Sequence, residues 1–317
     1  MLLSYWLRLV CLLLFSFGLI QAALSLLLQI LTPALDRALT RLSARWYERA
    51  CFVMPMTPYF AAFMLAALAI APQYISGETN LFDERVGIVS IAGALLVAAR
   101  YAYALLRALR MMRRCPPALS KAAIGARTAN VPIRIADSAY PVLMVTGLLR
   151  PAITVSRSLL DRSVLPSEAL EVAFAHEFAH MRQLDNLKLF MLSSLALPGR
   201  GSDVVRRWRR SAEIAADSDA AAGSRTRAIL LAETLLVTAS AVPPRQAHAP
   251  VTLGLLPHEE DLQSRIHHLI REKPEGTLHA GRRSLLVASV LLLCGASLLL
   301  PLSLVSFHGI AECLLHL

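Results

Sequence analysis

Cysteine is scarce in this chain and carries no metal-binding pattern: Cys11, Cys51, Cys115, Cys294 and Cys313 include no CxxC pair. That excludes a thiolate metal site, and three of the five lie inside apolar runs, which excludes a disulfide framework. Aromatic residues make up only 6% of the sequence and do not interleave with basic ones, so the net charge of +10 does not describe a nucleic-acid reading surface. Charge itself is sparse at 17%, whereas hydrophobic residues reach 56% and mean hydropathy is +0.54. One ordinary soluble domain is not that apolar.

The apolar excess is concentrated in four runs, at residues 2–31, 51–75, 86–106 and 284–307. Each is long enough for a helix of about 20 residues to cross a hydrocarbon core. Pro55 and Pro58 stand near the start of the second run, where they are expected to shape its entry. The first run resembles a signal peptide at Ala22 and Ala23, but it stays apolar to Leu31, so a retained span is expected. Between runs one and two come Arg37, Arg41, Arg45 and Arg49; after run three come Arg107, Arg110, Arg113 and Arg114; before run four come Arg282 and Arg283. The gap between runs two and three instead holds Glu78, Asp83 and Glu84 with only Arg85. Basic flanks prefer the cytoplasmic side, so the expectation is a four-span plasma-membrane (inner-membrane) protein, N-out and C-out, with residues 115–283 in the cytosol. Those flanks account for the net charge. Arg100, inside the third run near its cytosolic end, is expected to snorkel.

The chemistry centres on EVAFAHEFAH, residues 171–180, an HExxH pattern. On a helix, His176 and His180 are four apart and share a face, so both imidazoles can grip one metal ion. Glu177 is turned aside by one position, within reach of a water on that metal without ligating it. Zinc suits such a site because it accepts nitrogen and oxygen ligands and keeps an open position when catalytic. Pro166, Ser167 as N-cap and Glu168 mark a helix start, and the helix is expected to run from 168 to about 190. A second stretch, SAEIAADSDA at 211–220, places Glu213 and Asp217 four apart. Glu213 follows His180 by 33 residues (213 minus 180), enough chain to return a second helix carrying a third ligand. Asp217 is then placed to accept the spare ring N–H of a ligating histidine. The competing reading is a solvated acidic face beside Arg206, Arg207, Arg209 and Arg210.

The rest of the 115–283 segment is long enough to bury a core. A short helix is expected at 118–126, then strands at 131–135, 142–145 and 152–155. Pro151 at the start of the last strand suits an edge position. That strand is either a peptide-pairing edge beside the metal or a structural hairpin. Residues 187–197 and 228–242 are apolar but too short to span, and a core role is expected of both, although 228–242 could also lie against the membrane. Residues 246–254 form a loop, and 261–270 a helix with Arg265, His267 and His268. Adjacent histidines diverge on a helix, so no second metal site is expected there, and Arg265 is expected in a surface or salt-bridge role. The fold class is α+β, mainly α.

Three spans, a cytosolic HExxH domain with a downstream ExxxD, and a final span resemble the plan of the BlaR/MecR-type membrane metallopeptidases, which are gluzincin-like. The residues that carry the resemblance are TGLLRPAITVS (146–156), HEFAHMRQLD (176–185) and AEIAADSDA (212–220), and the shared plan runs from the first span to the fourth. It implies zinc on His176, His180 and Glu213, Glu177 as general base, and Asp217 behind a ligand. It also implies a protein or peptide substrate, such as a cytosolic transcriptional repressor; the apolar runs add the lipid bilayer as a partner, and a homodimer is a further candidate whose existence the sequence leaves open. The best-known members carry a penicillin-binding sensor after the last span; with Leu317 only ten residues past Phe307, a member without that sensor is expected. HtpX-like and CAAX-processing membrane peptidases share the same motif logic and are the nearest alternative. A non-catalytic receptor or scaffold with a structural zinc is the alternative of another class, and the intact Glu177 weighs against it. Arg225, Arg265 and the histidines after residue 240 are all open as the partner of the developing oxyanion.

Overall fold

The computed structural model describes residues 5–39, 42–77, 88–113, 123–128, 131–138, 141–160, 165–195, 201–240 and 259–271. The architecture is mainly helical with one small sheet. The N-terminal part comprises α1 (Tyr5–Leu39), α2 (Ala44–Leu65), a single π-helical turn (Ala66–Ile70) leading into α3 (Ala71–Gly77), and α4 (Ile88–Arg113). Three helical stretches, Tyr5–Leu39, Ala44–Ile75 and Ile88–Arg110, are long and apolar enough to cross a membrane. Their apolar windows are at most 33% buried within the protein, and Phe63, Leu68, Leu95 and Leu96 point outward. Such a surface needs hydrocarbon around it. The fourth run, 284–307, lies outside the described residues.

These helices outlast their apolar runs. α1 continues to Leu39 through Pro33, and α2 starts at Ala44, seven residues before its run. Consequently Pro55 and Pro58 sit in mid-helix rather than at its entry, and the π turn follows them. Hydropathy marks only the apolar portion of each helix, whereas intrahelical hydrogen bonding continues past it. α1 and α4 approach closely at two glycines: a Cβ on Gly18 would lie 2.3 Å from Val97, and one on Gly93 would lie 2.2 Å from Phe15. Arg100 turns inward and donates to Gln21 on α1 at 2.7 Å, so part of its charge is met inside the bundle.

The sheet contains β1 (Ala123–Thr128), β2 (Val131–Ala136), β3 (Leu143–Thr146) and β4 (Ala152–Ser156) in the order β1-β2-β4-β3. β2 and β4 run parallel; the outer pairings are antiparallel. The three expected strands are present. The expected helix at 118–126 is corrected: residues 123–126 belong to β1, and 118–122 lie outside the described residues. Gly125 falls at an irregularity in the β1–β2 register, where a glycine is poor helix material and a bulge tolerates it. The edge assignment is corrected too. β4 lies between β2 and β3, and Pro151 precedes the strand, so its missing N–H removes no ladder bond. Among the described residues the edge strand on this side is β3.

Among the described residues six further helices follow: α5 (Arg157–Leu160), α6 (Ser167–Gln183), α7 (Asp185–Ser194), α8 (Gly201–Ala221), α9 (Arg225–Ser240) and α10 (Glu259–Arg271). The single helix expected over 168–190 is two helices, because Leu184 adopts a left-handed conformation (φ 53°) that breaks it. Ser167 is the first residue inside α6, and extended Pro166 stands at the N-cap in its place. Ile153, Val155, Leu159, Val172, Leu231 and Leu235 share one core between sheet and helices. α9 contributes Ala228, Leu231, Ala232 and Leu235 to it, as a core helix does, while Ile229, Leu236 and Val237 remain exposed.

This unit is seated on the ends of the membrane helices. Cys51 of α2 packs with Leu189, Leu192, Trp208 and Ala212. Polar contacts reinforce the seat: Arg45 pairs with Asp219, Arg207 with Asp36, and Arg107 donates to the Ser193 carbonyl at 3.4 Å. Glu48 accepts from Trp208 Nε1 at 2.8 Å and from Lys188 Nζ at 3.0 Å.

Candidate metal centre

The i, i+4 spacing on α6 does what helical geometry requires: His176 and His180 present Nε2 atoms 3.1 Å apart. α8 packs across α6 and brings Glu213 Oε2 to 3.4 Å from His176 Nε2 and 3.7 Å from His180 Nε2. One ligand atom from each of His176, His180 and Glu213 therefore falls within 4.8 Å of the others. Both imidazoles are buried; Glu213 is the most open of the three, with 11% of its side chain exposed. The opposite ring nitrogens face carboxylates. His180 Nδ1 lies 2.8 Å from Asp185 Oδ2, and His176 Nδ1 lies 2.9 Å from Asp217 Oδ1. The second contact is close without hydrogen-bond alignment, because both oxygens of Asp217 are forked by Arg265 at 2.7 Å. With each Nδ1 turned to a carboxylate, the two Nε2 lone pairs converge on one point beside a third carboxylate. Two lone pairs at that separation repel unless a cation sits between them. The donor set fits a metal ion, and this group can hold one.

No protein-family model matches this chain, and no curated protein matches it. What can be said of the centre therefore rests on its own geometry.

Electrostatics follow from burial and pairing. Burial alone lowers the pKa of His180, but Glu213 and Asp185 outweigh it and hold the ring well above its ordinary value. His176 behaves the same way: burial lowers its pKa, and the adjacent carboxylates of Asp217 and Glu213 raise it further than burial lowers it. For Glu213 burial raises the pKa, yet Arg265 and His180 hold the carboxyl well below the usual range. Asp217 is likewise pushed up by burial and brought down by Arg265. Glu177 is the exception. It is fully buried, neither carboxylate oxygen has a hydrogen-bond partner among the described residues, and burial pushes its pKa up to about 7 against the pull of His176 and His180.

Two participants were not legible as such. Asp185 ends the HEFAHMRQLD stretch, and the left-handed turn at Leu184 folds it back under His180. Its neighbour Asn186 donates to the carbonyls of Val145 at 3.0 Å and Gly147 at 3.1 Å, tying the edge strand to the site. A carboxylate five residues after the second histidine was the available signal, but its contact depends on that break. Arg265 is not a surface residue. It is 1% exposed, forks Asp217, and reaches Glu213 Oε2 at 3.0 Å, so the salt-bridge part of its expected role is met at the centre itself. Arg225 pairs instead with the Ile270 carbonyl. His267 lies against Arg271 and His268 against Ser218, on different sides of α10.

Proposed function

We propose that this chain is a membrane-embedded, zinc-dependent endopeptidase that cleaves a protein or peptide substrate at the cytosolic face, in signal transduction or repressor inactivation. The observation that carries this reading is Glu177, a buried carboxylate with two unpartnered oxygens one residue from a His/His/Glu cluster. A purely structural metal site gains nothing from an uncompensated buried carboxyl group, which costs desolvation energy. A site that must take a proton from water has a use for it.

His176, His180 and Glu213 would hold the ion, and two nitrogens with one oxygen and no thiolate suit zinc. When bound, zinc supplies a Lewis acid for the scissile carbonyl and for water. Asp217 and Asp185, each against an Nδ1 atom, would keep the two imidazoles turned with Nε2 free to ligate. Glu177 accepts the proton of the attacking water, whose oxygen bonds to the carbonyl carbon, and returns that proton to the amine as the C–N bond breaks. Arg265 is engaged by Asp217 and Glu213, so it steadies the ligands instead of serving the oxyanion. β3 is the edge strand beside α6, and Asn186 already occupies its outward carbonyl at Val145.

The metal unit sits at the bundle end that carries Arg37, Arg45, Arg49 and Arg107, and the positive-inside tendency puts that end in the cytoplasm. The same plan, with 284–307 as a fourth span, supports a BlaR/MecR-type peptidase in the plasma membrane acting on a cytosolic repressor. The test compares new protein N-termini in cells expressing wild type or Glu177→Gln at matched levels. Termini that appear only with the wild type name the substrate. Matching profiles under every inducing stress, with zinc bound to both proteins, would overturn the peptidase in favour of a receptor or scaffold.

A further inference from the structure

We infer that the second membrane helix positions the metal ligand His180 through a buried polar chain, Glu48–Lys188–Asp185. The inference rests on the metal-site reading above and adds a route by which the membrane helices reach that site.

Each link is a direct contact. Glu48 sits on α2 just past its start and is 2% exposed. Its Oε1 accepts from Lys188 Nζ at 3.0 Å; the same amine donates to Asp185 Oδ1 at 3.0 Å; Asp185 Oδ2 lies 2.8 Å from His180 Nδ1. One ammonium thus serves two buried carboxylates, one from a membrane helix and one behind a metal ligand. A buried carboxylate separated from its cation carries a large desolvation penalty, so Glu48 and Asp185 move together with Lys188 or lose their partner. Trp208 Nε1 also donates to Glu48 Oε1, at 2.8 Å, which fixes the oxygen that Lys188 uses.

The two histidines are backed differently. Behind His176 stand Asp217 and Arg265, both within the unit that carries the ligands. Behind His180 stands Asp185, which follows the left-handed break and is held by Lys188 and, through it, by α2. Through this chain a displacement of α2 bears on His180, whereas no such buried chain runs from α2 to Asp217 among the described residues; α2 meets α8 at Asp219 and Ala212 instead. Glu48 and Lys188 are positioning residues: they touch neither the ligand atoms nor any reacting group.

The experiment uses the full-length chain in detergent, with cobalt(II) as the probe for ligand geometry and chelator competition for the zinc dissociation constant. Asp185→Asn sets the direction of the change in the visible cobalt band. Glu48→Gln keeps an acceptor for Trp208 while removing the charge that holds Lys188; Lys188→Met removes the bridge. Both are expected to shift the band in the direction of Asp185→Asn and to weaken zinc by roughly ten-fold, the lower end of the range for partners behind a ligand. Asp36→Asn, which loosens the Arg207 contact of the same seat without touching the chain, is expected to leave band and affinity unchanged. A wild-type band in Glu48→Gln, or an equal shift in Asp36→Asn, overturns the inference. Wild-type protein that binds cobalt but cleaves nothing would sink the peptidase reading and leave the relay standing on the same spectra. Wild-type protein that binds neither metal would sink both.

Discussion

Removing the charge of Glu177 tests the centre without requiring a substrate. In the metal-free protein its carboxyl group has a pKa raised from 4.5 to about 7, because burial leaves both oxygens without partners. A carboxyl whose folded pKa is raised binds its proton more tightly when folded. Its contribution to stability is therefore full below the unfolded value and is lost as pH rises through the folded one. One pKa unit corresponds to about 1.4 kcal/mol, so ionised Glu177 costs on the order of 3 kcal/mol at pH 8 and less than ~1 kcal/mol at pH 5. Glu177→Gln has no such titration. The stability difference between variant and wild type should accordingly move by about 2 kcal/mol in favour of the variant between pH 5 and pH 8. Subtracting the two proteins removes, to first order, the titrations of His176, His180 and Asp217 that they share. The assay is denaturant unfolding of chelator-treated protein in detergent at both pH values. A difference that does not change with pH would refute the reasoning, because it would mean the carboxyl is solvated or already paired. Adding zinc should shrink the effect, since a cation beside Glu177 stabilises its charged form.

Arg265→Met should cost the metal-free protein about 3–5 kcal/mol, because it strands the buried charges of Asp217 and Glu213, and a denaturant midpoint equal to wild type would contradict it. Asp217→Asn should weaken zinc about 10–100-fold in a chelator competition, by removing the carboxylate behind His176; an unchanged constant would place that support elsewhere. Glu213 and Asp217 have depressed pKa values, so their stabilisation is present above the ordinary carboxylate range and is lost as pH falls below it. Thermal unfolding of the metal-free protein should show an acid limb that Asp217→Asn makes shallower, and equal limbs in the two proteins would argue against it.

The sequence by itself determined the elements whose causes are local. Three apolar runs become helices long enough to cross a membrane, because hydrocarbon allows a single chain segment few other ways to satisfy its backbone. The i, i+4 spacings of His176 with His180 and of Glu213 with Asp217 are helical facts, and they appear as one cluster once α8 lies on α6. The 131–135, 142–145 and 152–155 strands were legible from β-branched residues between turn formers.

Tertiary structure decided what depends on partners distant in the chain. Residues 123–126 read as helix by propensity, yet pairing with β2 makes them a strand. Strand order made β3 the edge and enclosed β4, and no local signal in Pro151 distinguishes those outcomes. Arg265, 88 residues after Glu177 (265 minus 177), reads as an exposed helix residue until α10 packs on α8 and closes it over two carboxylates. Asp185 reaches His180 only because Leu184 takes a left-handed turn, and Lys188 reaches Glu48 across 140 residues only because α7 and α8 dock on α2. A carboxylate or guanidinium is spelled the same way in sequence whether it faces water or a buried counter-charge. Burial, which makes that charge expensive unless paired, exists only once the helices have packed.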